Sequence, residues 1–174
     1  MGQKNRTKAL LLTALFAALT AAGALIRIPL GYSSVTLQFF FCAMAAFLLG
    51  PWKAAASQLL YVLLGLVGLP VFTEGGGLTY VAHPGFGFLL GLIPAALVMG
   101  LLYQKGSRKL FHQILAAGCG LITLYVVGLP WYCFALVGGF SRELLASGLV
   151  FLPFDVAKLL LALPLCRRLE RQIG

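Results

Sequence analysis

The chain has 174 residues, of which 61% are hydrophobic and 10% charged, and its mean hydropathy is +0.99. A soluble domain of that composition would lack the polar surface to cover itself, so lipid must be its solvent. The formal charge of +9 does not point to nucleic acid, because the thirteen Lys and Arg residues fall in short clusters between apolar runs, without interleaved aromatics. The length suits one domain, a single transmembrane unit over 1–174.

From Ala9 to Ile26 no residue is charged, and such a run reaches roughly 27 Å as a helix, enough to cross a bilayer core. Its basic start (Lys4, Arg6, Lys8) also fits a cleaved signal peptide, a reading set aside because the run is long and more spans follow. Beyond Arg27, the turn formers Pro29, Gly31, Ser33 and Ser34 precede a second apolar run, Val35 to Leu49. Gly50, Pro51, Trp52 and Lys53 break the chain with an interfacial aromatic and a positive charge. A third helix is expected from Ala54 to Leu69.

Residues 70 to 84 form a mostly uncharged loop with Gly75, Gly76 and Gly77 in succession and several aromatics, too apolar for a solvated linker. A lid and a plug of the outer bundle face are equally good readings of it. Helix 4 is expected from Gly85 to Tyr103, a basic turn at Lys105, Arg108 and Lys109, and helix 5 from Leu110 to Leu129. A second aromatic loop, Pro130 to Ser147, leads to helix 6, whose core is Pro153 to Cys166. That core gives only about 21 Å, so the helix should start near Leu144 and kink or break at Pro153.

Six crossings with the amino terminus in the cytoplasm put ten basic residues inside and only Arg27 and Arg142 outside, with Lys158 within a helix. The positive-inside rule requires that bias. The fold expected is therefore an all-α integral membrane protein of six transmembrane helices with both termini cytoplasmic.

Asp155 and Lys158 stand out within the last helix, since a charged residue there costs about 2.5 to 3.5 kcal/mol even on a lenient insertion scale. Three residues apart, they share a helix face and can neutralise each other or hold two ends of one polar group. Helix-dipole stabilisation of Asp155 with a snorkelling Lys158 is the plainer reading. Gln38 is polar near the outer end of helix 2, where an interhelical hydrogen bond is the usual role. Ala14, Ala18 and Ala22 form a smooth stripe on helix 1, suited to internal packing or to a partner. Cys42, Cys119, Cys133 and Cys166 lie far apart, and His83 and His112 group with neither carboxylates nor thiols, so no metal site is expected. With no nucleotide loop, zinc-protease motif or nucleophile motif, neither an enzyme nor a cofactor is expected. A small ion-coupled transporter using Asp155 as proton carrier remains the rival.

Taken in order, Ala14 to Ala21, Val35-Thr36-Leu37-Gln38, Leu49-Gly50-Pro51, Leu64 to Phe72, Pro84 to Gly91 and Phe151 to Lys158 resemble the BioY family over nearly the whole chain. BioY proteins are the biotin-specific S components of energy-coupling factor (ECF) transporters. One departure is visible at Gly85-Phe86-Gly87-Phe88, where members often carry hydroxyl side chains. The resemblance implies an S-component bundle in a prokaryotic cell membrane, binding biotin near the outer face under loops. It also implies a transmembrane coupling subunit and two ABC-type ATPases as partners, with Ala14, Ala18 and Ala22 facing the coupling subunit. By the family motifs, Asp155, Lys158 and Gln38 become ligand contacts, and Phe72, Tyr80 and Phe86 are expected to enclose the ring.

Overall fold

The computed structural model describes residues 3–30, 33–106, 110–139 and 142–173. The chain runs α1 (Gln3–Leu25), a hairpin of β1 (Arg27–Leu30) and β2 (Ser33–Thr36), then α2 (Gln38–Leu49), α3 (Pro51–Leu66), a 3-10 turn (Leu78–Ala82), α4 (Phe86–Lys105), α5 (Leu110–Val137), α6 (Arg142–Leu149) and α7 (Leu152–Ile173). Taking α6 and α7 as halves of one broken pass, this is the six-helix bundle that the hydropathy predicts. Arg6–Leu25, Phe86–Lys105, Leu110–Val137 and Leu144–Glu170 are each long and apolar enough to cross a membrane.

Two boundaries differ from expectation, and both shape the end of the bundle opposite the basic one. First, Val35 and Thr36 do not begin helix 2. They pair with Ile28 and Arg27 in the antiparallel hairpin, where β-branched side chains fit better than in a helical turn. The 12-residue α2 that follows is therefore only about 18 Å long, and the hairpin takes the place of its missing outer turns. Second, α5 continues through Pro130 to Val137. Proline removes one hydrogen bond, but Tyr132 and Cys133 beyond it are buried, and Trp131 lies where a Cβ on Gly87 would collide with it. Packing on α4 thus holds the helix past its weak point, as happens in membrane bundles. As the sequence leads one to expect, the last pass breaks between Leu149 and Leu152, just before Pro153. Pro153 then sits at the second position of α7, where its missing donor costs nothing.

Small residues set the helix spacing. On α4, a Cβ at Gly91 would press on Leu124, and one at Gly100 would lie 2.6 Å from the Pro51 Cα. On α5, Gly120 takes Met99 and Gly128 takes Phe88. This close α4–α5 contact is the small-residue packing on which membrane bundles rely in the absence of a hydrophobic drive.

One end of the bundle is basic. The α2–α3 turn meets α4 at Gly100, Tyr103 packs edge-on against Phe47, and its hydroxyl donates to Glu170 at 2.8 Å. This end carries exposed Lys53, Lys105 and Arg168. Arg108 and Lys109, counted in the basic turn, lie outside the described residues. At the opposite end the hairpin, the 67–85 loop and the starts of α2, α4 and α7 come together.

Candidate ligand site at the outer end

Between those helix starts lies a pocket open on one side, whose empty space of about 580 Å³ includes part of its open mouth. Gln38 opens α2, Gly85 caps α4 and Asp155 occupies the first turn of α7; all three line it. The positive ends of three helix dipoles thus converge on the space, which favours negative charge there.

The α7 wall carries the charged pair. Lys158 Nζ donates to Asp155 Oδ1 at 2.6 Å, and both residues are buried, 8% and 6% exposed. Asp155 Oδ2 accepts a 2.7 Å hydrogen bond from the Tyr125 hydroxyl on α5. Each carboxylate oxygen keeps a second acceptor direction, and Lys158 keeps two N–H donors.

Across the cavity the α2 wall is neutral. Thr36 Oγ1 donates to Gln38 Oε1 at 2.6 Å, and Gln38 Nε2 donates to the Tyr61 hydroxyl of α3. Tyr61 in turn donates to the Val71 carbonyl at 3.1 Å. One amide N–H of Gln38 remains for the cavity. Phe88, Leu89, Leu92 and Leu124 supply apolar surface between the two walls.

The 67–85 loop closes the mouth. Gly77 N–H donates to the Gly65 carbonyl at 2.7 Å, folding the loop back onto the end of α3. Gly75 and Gly77 have φ of 113° and 102°, which side-chain-bearing residues rarely adopt. Arg27 of the hairpin donates to the Thr73 carbonyl, and the Thr73 and Tyr80 hydroxyls share a hydrogen bond at the cavity edge. Burial raises the Tyr80 phenol above its ordinary pKa, and Glu74 adds to the rise while Thr73 and Arg27 oppose it. Behind Tyr80 its ring stacks on His83, centroids 4.8 Å apart, and His83 Nε2 lies 3.2 Å from Glu74.

The sequence model of the BioY family matches residues 1–174. The chain belongs to the BioY family. The "Probable biotin transporter BioY" of Lysinibacillus sphaericus is 47% identical over 137 residues, covering 78% of this chain and 70% of that protein. The "Biotin transporter BioY" of Thermotoga maritima is 38% identical over 163 residues, covering 90% and 92%. Among solved structures, a 2.1 Å crystal structure of the S-component for biotin from an ECF-type ABC transporter is similar, with a TM-score of 0.88 and 29% identity, over 98% of this chain and 95% of that one.

In this BioY-family chain, Asp155, Lys158, Gln38 and Tyr80 all line one cavity. Phe72 and Phe86, expected to enclose a ring, do not. Phe72 turns back onto α3, where a Cβ on Gly65 would fall 2.0 Å from its ring, and it packs between Tyr61 and Tyr80. Phe86 is buried edge-on against Trp131 instead of lining the cavity. Phe88, two residues on and therefore on another face of α4, takes the inner place and contacts Phe151 edge-on. The sequence reading passed over Tyr125, Tyr61 and Thr73. A tyrosine in the middle of an apolar helix is a usable sign, because its buried hydroxyl needs a partner, but the partner is identifiable only in three dimensions.

Proposed function

We propose that this chain is the substrate-binding S component of an ECF-type transporter, and that it captures biotin in the outer cavity for uptake. The observation that carries this reading is the preformed pair of polar walls, acidic-basic on α7 and amide on α2, around apolar surface. Biotin has a flat ureido group with N–H donors beside a carbonyl, an apolar thioether ring and a carboxylate tail. Asp155 accepts from ureido N–H, Lys158 and Gln38 donate to the carbonyl, and Phe88, Leu89 and Leu92 bury the ring. Asp155 and Lys158 cancel in charge, so the converging helix starts leave a positive field that suits the carboxylate. The names of the two relatives and of the similar crystal structure agree with this ligand.

Ala14, Ala18 and Ala22 are exposed along α1, and this smooth face is the proposed seat of a transmembrane coupling subunit, which would link the chain to two ABC-type ATPases. The whole chain then acts as one binding domain in a prokaryotic cell membrane, with its basic end and both termini in the cytoplasm and the cavity facing outward. Its role is binding and passage, without catalysis. A proton-carrying Asp155 is not favoured, because Lys158 and Tyr125 both hold its carboxylate.

Isothermal titration of the purified protein in detergent with biotin and dethiobiotin tests the reading. Saturable one-to-one binding of biotin, weakened at least tenfold by Asp155→Asn, is the expected result. No heat with biotin, or an affinity unchanged by both Asp155→Asn and Lys158→Ala, would overturn it.

A further inference from the structure

We infer that Tyr125 is a positioning residue for the ligand, acting through Asp155; this rests on the proposed biotin site. A carboxylate on a helix is free to turn about its terminal torsion, and where its lone pairs point decides which N–H groups it can accept. Lys158 is on the same helix, three residues away, and moves with Asp155. Tyr125 is on α5 and does not. Among the described residues, its 2.7 Å bond to Asp155 Oδ2 is the side-chain hydrogen bond that joins α5 to α7.

The position of that hydroxyl is fixed by packing. Leu124, the preceding residue, is seated against Gly91, and Phe88 lies over Gly128 one turn further along. The Tyr125 ring meets Phe88 edge-on with centroids 5.5 Å apart. Its other side faces an apolar groove that includes Ile122, Val126 and Leu149 on the lipid side, which offers the hydroxyl no alternative partner. With Tyr125 on one oxygen and Lys158 on the other, the carboxylate plane is set before ligand arrives. The remaining acceptor directions then receive a ligand's N–H groups without reorganisation, the usual source of affinity from preorganisation.

The arrangement also defines the ligand class at this end of the cavity. It must bring N–H donors, as a cyclic ureide does, because an incoming carboxylate would meet a carboxylate already held in place.

The test is a double-mutant cycle read by calorimetry. Wild type is titrated with biotin first; absence of binding there overturns the proposed function. Given wild-type binding, Tyr125→Phe keeps the ring against Phe88 and is expected to weaken biotin about tenfold, the scale of one hydrogen bond to a charged group. The unliganded melting temperature should fall by no more than about 6 °C, the scale of one hydrogen bond to a charged group while Lys158 still holds the carboxylate. In the Asp155→Asn background the same change should cost less than about twofold, since its target has lost its charge. A loss below twofold in the wild-type background, an equal loss in both backgrounds, or a fall in melting temperature larger than about 6 °C would each overturn the positioning role. If Asp155→Asn binds too weakly for the cycle, the Tyr125→Phe affinity and melting temperature decide it.

Discussion

The two polar walls of the cavity use the same device for different chemistry. On the α2 wall, Gln38 is oriented by a neighbour in its own segment, Thr36, and by the hydroxyl of Tyr61 from α3. On the α7 wall, Asp155 is oriented by Lys158 of its own helix and by the hydroxyl of Tyr125 from α5. Each wall thus takes one local and one distant partner, the distant one a tyrosine. The walls differ in what failure costs. An unpaired amide group loses the worth of a hydrogen bond, whereas an unpaired buried charge loses several times more. The charged wall should therefore dominate both stability and affinity, and the neutral wall should tune affinity alone.

The largest effect is expected from Lys158→Met, which leaves the Asp155 carboxylate buried without its cation and should destabilise the protein by about 3–5 kcal/mol. Thermal unfolding in detergent measures it. Adding Asp155→Leu to that variant sharpens the comparison: stability should return to near or above wild type, because a hydrophobic replacement of a buried pair is commonly neutral or better, while biotin titration shows no binding. A stable single variant would break the claim that the pair is tightly coupled. Next in size, Gln38→Leu should reduce biotin affinity by about 1–2 kcal/mol with little change in melting, since Tyr61 keeps its Val71 acceptor. Tyr61→Phe should cost less, about 0.5–1.5 kcal/mol in affinity, and a larger effect than that of Lys158→Met would invert the ranking of the walls. The smallest change is expected at the mouth. Arg27→Ala removes an exposed donor to the Thr73 carbonyl and should raise the biotin off-rate only a few-fold, about the worth of one solvent-exposed contact, as followed by rapid mixing.

The mouth and the walls also differ in how well the sequence announces them. Asp155 and Lys158 are legible in one dimension because charge within an apolar run is rare and the three-residue spacing puts both on one face. The glycine loop is legible as irregular, and its aromatic content as something other than a linker. Phe72, Phe86 and Phe88 are chemically alike, and no spacing rule says which of them faces the cavity. Contacts made elsewhere decide that: Gly65 provides the recess that takes Phe72, and Gly128 the one that seats Phe88. Val35 and Thr36 were misread for a related reason. An apolar stretch ahead of a helix is ambiguous between helix and strand until its pairing partner is known, and that partner is Ile28 and Arg27 across the hairpin.

By itself the sequence determined that lipid is the solvent, that six passes make the bundle and which helix holds a buried pair of charges, because bilayer thickness and the cost of charge act on local composition. Only the tertiary structure decided that α5 runs through Pro130 and that the hairpin shortens α2. It alone decided that tyrosines on α3 and α5 aim the two polar walls. Those outcomes depend on which surfaces meet across distant segments, and packing complementarity of that kind leaves no periodic mark in the chain.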